Sequence, residues 1–277
     1  LEFRRVLFRS EGKAIGAFAL TEPGAGSDSG ATQTTCLWDE EQDCYILNGR
    51  KCFITMGPIC DYAVVFAKSN LEAKGTRGIS AFIVEAGWEG FSRGKTEEKM
   101  GMHASVTSDL VFNNVKVPKE NLLGKEGQGF KIAMGILDAG RVTVASQGLG
   151  IAAGCLDLAI QYSKERVQFG RPIAKLQDVA FKIADMATEV EATRLLVYDT
   201  ADKLDKKQKV TVQAAMAKYK AGELCNQVAY KALQIHGGYG YMQDYAIERM
   251  TRAARLVSIY EGTSEIQKLV ISGNLLK

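Results

Sequence analysis

The chain has 277 residues, of which 46% are apolar and 24% charged, and its mean hydropathy is −0.09. This composition excludes wholesale disorder, and the length suffices for one large or two medium domains. The net charge of +3 owes most of its excess to residues 1–10, so the remainder shows no basic bias typical of nucleic-acid binding. No run approaches about 18 consecutive apolar residues, so we expect no membrane-spanning helix.

The first ten residues, LEFRRVLFRS, show no periodicity that continues into the following sequence. Leu-Glu-Phe is what a common restriction site encodes, so we interpret residues 1–10 as a non-native segment and exclude them from the fold. The alternative is a genuine basic arm.

Cysteine and histidine are placed in a way that argues against metal chemistry. The six cysteines contain no C-x-x-C pair and have no neighbouring histidine, and the chain has only two histidines, His103 and His236. We therefore expect no metal site, and buried thiols typical of a reducing compartment.

Residues 11–124 have the pattern of a β domain. Short runs such as YAVVFAK and ISAFIV are rich in β-branched and aromatic residues, and no helical pattern separates them. We expect an antiparallel sandwich or barrel-like domain, not a parallel sheet. Within YILNGRKCFI, Asn48-Gly49 predicts a two-residue hairpin turn.

Residues 125–277 change to a period of 3.6. Leu176, Ala180, Ile183, Ala187 and Val190 form one helical stripe. We predict helices near 130–166, 175–204, 209–236, 244–253 and 263–276. Their short connections predict a four-helix bundle, so the fold class is α+β, a β domain followed by a helical domain.

Two segments could contact a ligand. FALTEPGAGSDSGA, 18–31, has glycines that let the backbone approach a ligand, although a solvated turn explains it as well. SKERVQFGRPI, 163–173, includes Arg166, which could bind phosphate oxygens or simply end a helix at the surface.

Two later segments carry glycines beside polar groups. LQIHGGYGYM, 233–242, ends a predicted helix in paired glycines, more than a helix cap requires. In IYEGTSEIQ, 259–267, Thr263 or Ser264 can cap the last helix. Glu261 is left without a structural role there, and a carboxylate beside apolar groups is what a general base with a raised pKa requires, although an ordinary surface Glu is the alternative.

These four motifs stand in the order and spacing seen in acyl-CoA dehydrogenases, and the chain resembles the short-chain, butyryl-CoA branch over residues 12–277. The resemblance implies a middle β domain, a four-helix domain and a homotetramer that holds FAD at subunit interfaces. Family members begin with a helical domain that has no counterpart here, so we expect an amino-terminally truncated copy.

The resemblance also implies which residues contact FAD, with those of the 166–177 and 234–238 segments reaching the cofactor of a neighbouring subunit. They are Phe18, Thr21, Gly26, Ser27, Phe53, Ile54, Thr55, Arg166, Gln168, Phe169, Gln177, Gln234, Ile235, His236, Gly237, Gly238, Thr263 and Glu265. Phe53 replaces the tryptophan common at its position, which keeps stacking but loses an indole donor.

Substrate contacts are implied at Ser27, Asp138, Arg141 and Gly262, and Glu261 is implied as the catalytic base. Some branches take their base from the bundle helix at the position of Gly140. Because glycine has no acidic group, this chain follows the short- and medium-chain arrangement.

The implied reaction is α,β-dehydrogenation of a short-chain acyl-CoA to the trans-2-enoyl-CoA, with hydride transfer to FAD and electrons passed to electron-transfer flavoprotein. An acyl-CoA oxidase and an inactive, FAD-binding or oligomerising fragment are the alternatives. The implied location is the cytoplasm of a bacterium or the mitochondrial matrix of a eukaryote.

Overall fold

The computed structural model describes residues 12–277, which divide into two compact units. Residues 12–99 together with 103–135 form the β unit, and residues 100–102 together with 136–277 form the helical unit. The expected order of a β domain followed by a helical domain is confirmed. The interpretation of residues 1–10 lies outside the described residues, and the division at 124/125 stays a prediction.

The β unit is built on one mixed sheet whose strands, within the described residues, number eight. They are β1 (Gly16–Ala19), β2 (Thr35–Asp39), β3 (Cys44–Thr55), β4 (Tyr62–Lys68), β5 (Ile79–Glu85), β6 (Phe91–Arg93), β7 (Thr107–Val117) and β8 (Leu122–Leu123). Their order is β6-β7-β3-β2-β4-β5-β8, with β1 beside β4.

Most strand pairs are antiparallel, as expected, but two are not. Strand β4 pairs in parallel with β1 over four residues and with β2 at Thr35 and Lys68. Parallel neighbours need a long connection, and the β1–β4 pair has β2 and β3 between its members in sequence. Alternate residues of β4, including Ala63, Val65 and Ala67, are fully buried in the core of this unit.

The predicted hairpin turn at Asn48-Gly49 is wrong, because both residues lie inside the continuous strand β3. Gly49 has a φ of 144°, and its register with β7 shifts there. A Cβ atom at Gly49 would lie 2.8 Å from the Cα of Thr34. Glycine is therefore required here by a close backbone approach and a bulge. Both features can place a glycine in the sequence, as a turn does.

The helical unit contains, in the part of the chain described, α1 (Gly129–Glu165, which begins in the β unit), α2 (Gln177–Asp205), α3 (Thr211–His236), α4 (Ala246–Val257) and α5 (Ser264–Leu275). Their existence confirms the helical periodicity. Thr263 caps α5 by accepting a hydrogen bond from the Ile266 N–H at 3.3 Å, as one of the two predicted caps. Between α1 and α2, β9 (Val167–Gln168) and β10 (Arg171–Pro172) form a short ribbon.

Helix α1 corrects the argument used against a membrane-spanning helix. By length and composition alone this 37-residue helix is apolar enough to cross a membrane, although its apolar residues are not consecutive. Leu149, Ala152, Cys155 and Ala159 lie in the core of the helical unit, so packing against the other helices accounts for the apolarity.

The cysteines behave as expected. All six are buried free thiols. Among the described residues, no group of three or more His, Cys, Asp or Glu side chains could hold a metal ion.

Candidate active site

Glu261 lies in the short connection between α4 and α5, three residues before the start of α5. Its backbone is left-handed, with a φ of 55°, and Gly262 follows with a φ of 85°. The Oε2 atom of Glu261 is buried and has no hydrogen-bond partner among the described residues. Burying a carboxylate oxygen without a hydrogen-bond partner costs folding free energy. Buried polar groups that lack a partner are typical of functional sites.

The electrostatics around Glu261 favour proton transfer. Burial raises the pKa of the Glu261 carboxyl, and the nearby charges of Arg141 and Lys218 oppose this rise. A carboxylate with a raised pKa is a stronger base. The two cations favour its ionised form, so the carboxylate is not permanently protonated. These are properties that a general base requires.

Gly140 of α1 provides the space for the carboxylate. A Cβ atom at this position would lie 2.9 Å from Oε2 of Glu261. Any side chain here would therefore displace the carboxylate.

Two side chains hold the carbonyls of the Glu261–Gly262 turn. The Lys218 Nζ atom donates to the Gly262 carbonyl at 2.6 Å. The Gln267 Nε2 atom donates to the carbonyls of Glu261 at 3.1 Å and Gly262 at 2.9 Å. In the described part of the chain no acceptor meets the Glu261 N–H, which leaves this donor available beside the carboxylate.

Asp138 and Arg141, implied as substrate contacts, are joined to each other in α1. The Arg141 Nη1 atom donates to Asp138 Oδ1 at 2.9 Å, and the Thr211 hydroxyl donates to Asp138 Oδ2 at 2.6 Å. Arg141 is buried, and its Nε atom meets no acceptor among the described residues. This pair fixes the cation that faces Glu261.

A separate cleft of about 520 Å³ opens in the helical unit where α1 and α3 end. It is lined by Tyr162, Arg166, Gln168, Ile173, Ile235, His236, Gly237, Gly238, Tyr239 and Met242. It thus brings together most of the FAD contacts implied in two distant motifs.

The cleft presents an arginine and aromatic rings. The Arg166 guanidinium lies 5.3 Å from the centre of the Tyr239 ring. His236 stacks on Tyr162 at 4.3 Å and its Nδ1 atom bonds to the Ala232 carbonyl, while burial lowers its pKa. Neither Gly237 nor Gly238 has a described atom within 4 Å of where a Cβ would be, so a ligand can approach the backbone.

The other implied contacts of the helical unit lie at its surface. Phe169 is 89% exposed in the turn of the β9–β10 ribbon, with a φ of 54°. Gln177, Gln234 and Glu265 are exposed, and Thr263 is half-buried as the cap of α5. An aromatic ring is seldom this exposed on a surface that contacts only solvent. The exposure fits contact with a ligand or another subunit.

In the β unit, contacts with β3 hold the loop that follows β1. The Cys52 N–H donates to the Thr21 carbonyl at 2.9 Å, and Glu22 is buried against Lys51, whose Nζ atom lies 2.7 Å from Oε1. Lys51 also donates to the Leu20 carbonyl at 3.0 Å. These contacts hold Phe18 and Thr21 half-buried, with Gly26 and Ser27 exposed in the loop.

The segment at the end of β3 alternates. Phe53 is 71% exposed with a φ of 57°, Thr55 is exposed, and Ile54 is buried in the core of the β unit. The Ile54 side chain therefore packs in that core and offers a ligand only its backbone. Phe53 and Thr55 are available on the other face of the strand.

Sequence reasoning missed Lys218, Gln267 and the Glu22–Lys51 pair. A signal for Lys218 was present, because it shares a helical face with Ala214, Ala221 and Cys225, all buried. A lysine on an apolar stripe is a sign of a buried charge with a specific partner. No comparable pattern marks Gln267.

Two family models match the chain, one to each unit's sequence. The acyl-CoA dehydrogenase middle domain matches residues 17–115, and the acyl-CoA dehydrogenase C-terminal domain matches residues 127–276.

Three similar proteins are enzymes of Acetobacterium and Clostridium species. The caffeyl-CoA reductase-Etf complex subunit CarC of Acetobacterium woodii is 57% identical over 96% of this chain and 69% of that protein. A 3-(aryl)acrylate reductase of Clostridium sporogenes is 55% identical over 94% of this chain and 68% of its own length. The short-chain specific acyl-CoA dehydrogenase of Clostridium acetobutylicum is 51% identical over 97% and 70%.

Solved structures agree. Butyryl-CoA dehydrogenase from Megasphaera elsdenii has a TM-score of 0.96 and 49% identity over 99% of this chain and 71% of its own. A structure described with the electron transferring flavoprotein of Acidaminococcus fermentans has the same TM-score, 51% identity and the same coverage. The chain belongs to the acyl-CoA dehydrogenase family of FAD-dependent oxidoreductases.

Proposed function

We propose that this protein interconverts a short-chain acyl-CoA and its trans-2-enoyl-CoA, with Glu261 as the base that takes the α-proton in the dehydrogenation direction. The observation that carries the proposal is the buried Glu261 carboxylate, with Oε2 unpaired and the space beside Gly140 open to it. Similarity to enzymes named as short-chain acyl-CoA dehydrogenases and as acryloyl-CoA and caffeyl-CoA reductases supports both the substrate class and the reversibility.

Proton removal from the α-carbon needs help, because a C–H beside a thioester is a far weaker acid than a carboxylic acid. Hydrogen bonds to the thioester oxygen stabilise the negative charge that develops there. The Glu261 N–H, left without an acceptor in the described chain, is the donor that we assign to this role. Glu261 takes the α-proton, the electron pair of that bond forms the double bond, and the β-hydrogen leaves with its own pair.

FAD fits the residues that the chain provides, taken unit by unit. In the helical unit the cleft offers Arg166 for phosphate oxygens and open backbone at Gly237 and Gly238. In the β unit, Thr21 and the exposed Phe53 and Thr55 would hold the ring system. When bound, FAD supplies the acceptor for the β-hydrogen and its electron pair.

Partners follow from the same similarities. We propose that electrons are exchanged with an electron-transfer flavoprotein, since CarC is named as a subunit of a complex with Etf. We also propose a homotetramer, in which the exposed Arg166–Phe169 segment reaches FAD bound to another copy of the chain. Both proposals need the assembled protein for their test.

The test is substitution of Glu261 by Gln, which keeps the shape of the side chain and removes its basicity. We expect the variant to retain FAD absorbance but to lose the anaerobic bleaching of the flavin by butyryl-CoA, with turnover at least about 10²-fold lower. Glu191→Gln, an exposed carboxylate on α2 paired with Arg194, is the matched control.

A loss of turnover smaller than about 10²-fold would remove Glu261 from the base role. Rapid reoxidation of the bleached flavin in air, with no need for a protein acceptor, would instead indicate an acyl-CoA oxidase.

A further inference from the structure

Lys218 is a fully buried lysine on α3 that the reaction described above does not use. Its Nζ atom donates to the carbonyl of Gly262, the residue after the proposed base, at 2.6 Å and across 44 positions of sequence. Burying an ammonium group is costly unless it makes strong interactions. The fold therefore maintains the contact between Lys218 and the Glu261–Gly262 turn although burying the ammonium group costs free energy.

The turn that Lys218 holds is strained. Glu261 is a non-glycine residue with a φ of 55°, a conformation that is unfavourable for an L-residue. Donors from Lys218 and Gln267 bind the two carbonyls of the turn. These bonds fix the two peptide planes that follow Glu261 and so restrain the backbone from which its carboxylate projects.

The charge of Lys218 also acts on Glu261 and favours its ionised form. Arg141, the other cation that faces the carboxylate, is already paired with Asp138 at 2.9 Å. Lys218 instead donates to a neutral carbonyl, and the Glu261 charge is the largest influence that favours its protonated form.

Among the described residues, the charged or titratable groups that interact electrostatically with Lys218 or Glu261 lie on α1, α3, α5 or the turn itself. These groups are Arg141 on α1, Glu223 and Cys225 on α3, Glu265 on α5, and Tyr260. Glu223 accepts a hydrogen bond from the Ser264 hydroxyl at 2.5 Å, which offsets part of its charge.

We propose that Lys218 is the positioning residue of the base: its hydrogen bond to Gly262 fixes the turn that aims Glu261, and its buried charge, together with that of Arg141, favours the ionised carboxylate. The proposal rests on the proposed role of Glu261. Burial lowers the pKa of Lys218 to about 8, so the lysine carries its charge at neutral pH.

The experiment separates the two functions of Lys218 by two substitutions in the full chain with FAD bound. Lys218→Gln removes the charge and keeps an N–H donor on a side chain one bond shorter, whereas Lys218→Met removes both the charge and the donor. Lys220→Met on the same helix is the matched control, because it deletes an equal charge from a surface lysine paired with Glu189. The readouts are kcat/KM against pH and the infrared carbonyl band of protonated Glu261, which Glu261→Gln identifies by its loss.

Both Lys218 variants should move the acid limb of kcat/KM and the infrared midpoint upward by about one pH unit. Lys218→Met should additionally lower kcat by about tenfold or more, because its turn is released. Lys220→Met should move neither readout. Infrared midpoints unchanged in both Lys218 variants would overturn the proposal, whereas a purely structural role would lower activity without moving the midpoint.

The two proposals fail separately. If Glu261→Gln keeps its turnover, the proposed function falls, and the infrared midpoint still decides what Lys218 does. If neither Lys218 variant folds, the reciprocal measurement uses Glu261→Gln: loss of the carboxylate should lower the pKa of Lys218 by about one unit, read from lysine Nζ resonances. An unchanged Lys218 pKa would then overturn the proposal.

Discussion

At the scale of single residues, the candidate site depends on what is missing at Gly140 as much as on Glu261. Oε2 of Glu261 occupies the space that a Cβ atom on α1 would need. Because that oxygen is the far end of a flexible side chain, the fold can accommodate a small residue by moving the carboxylate. Structure and activity should therefore respond differently to the same substitution.

Gly140→Ala should lower kcat/KM by about tenfold or more while leaving the unfolding midpoint unchanged or raised, since alanine favours a helix by up to about 1 kcal/mol over glycine. Gly150→Ala is the control on α1, because no described atom lies within 4 Å of its Cβ position. Steady-state kinetics and thermal unfolding check both variants. Full activity in Gly140→Ala would show that the carboxylate does not need this space.

A second residue-scale feature is the buried Glu22–Lys51 pair in the β unit. Glu22 accepts hydrogen bonds from the Thr32 hydroxyl and from the backbone of Gln33 and Thr34. Burial alone would raise the pKa of Glu22, but the contacts with Lys51, Thr32 and Gln33 outweigh it and lower the pKa to about 2. The ionised pair therefore stabilises the loop that follows β1.

This pair predicts acid sensitivity of the β unit. Since the folded pKa of Glu22 lies below its unfolded value of about 4.5, its contribution is complete above that pH and is lost as the pH falls towards about 2. The loss should be about 3 kcal/mol of unfolding free energy. Both tryptophans, Trp38 and Trp88, lie in this unit, so their fluorescence in urea titrations reports its unfolding.

Glu22→Gln should destabilise the unit by about 3–5 kcal/mol at neutral pH, because it leaves the Lys51 charge buried without a carboxylate, and it should flatten the acid dependence. Glu89→Gln, an exposed carboxylate of the same unit, should change neither. An acid profile that is the same in Glu22→Gln and the parent would contradict this assignment.

At the scale of elements, β3 shows how a local signal can be read in the wrong way. Asn-Gly favours a tight turn, yet here it lies within a strand of 12 residues. The φ of 144° at Gly49 and the approach of Thr34 require glycine for a reason that only the neighbouring strand supplies. The uninterrupted strand can pair with both β2 and β7.

Gly49→Ala should therefore lower the unfolding free energy of the β unit by about 2–3 kcal/mol, because the new Cβ would meet the Thr34 backbone. Gly75→Ala is the comparison, since its φ of 62° is also positive but its Cβ would meet no described atom within 4 Å. That variant should lose only about 1 kcal/mol. Equal losses, measured by urea unfolding, would show that the approach of Thr34 adds nothing to the need for glycine at position 49.

At the scale of the whole molecule, the proposed FAD site makes cofactor binding and subunit association depend on the same segment. Arg166 lies in a cleft with Tyr239, and Phe169 beside it is almost fully exposed. If this segment reaches the cofactor of another copy, one substitution should weaken both cofactor retention and association.

Arg166→Ala should weaken FAD binding by about tenfold or more, since a charge-assisted contact contributes roughly 1.5–3 kcal/mol, and it should shift the oligomer towards smaller species. Arg194→Ala, a surface arginine of the same unit paired with Glu191, is the control. Flavin titration and size-exclusion chromatography measure the two effects. Parent-like results in both would refute the contact across subunits.

The sequence by itself determined the properties that depend on neighbours along the chain. The change of period near residue 130 located the β and helical halves, five helices followed from their stripes, and Thr263 was recognisable as a cap. Glu261 stood out because nothing local explained a carboxylate before that cap.

Only the tertiary structure decided what surrounds these residues. The space at Gly140, the cation on Lys218 and the orphaned oxygen of Glu261 come from three segments far apart in sequence. The role of Gly49 and the parallel pairing of β1 with β4 were likewise set by distant strands. Periodicity and capping act within one or two turns of chain, whereas burial, close approach and the pKa of a carboxyl depend on every group that the fold brings near it.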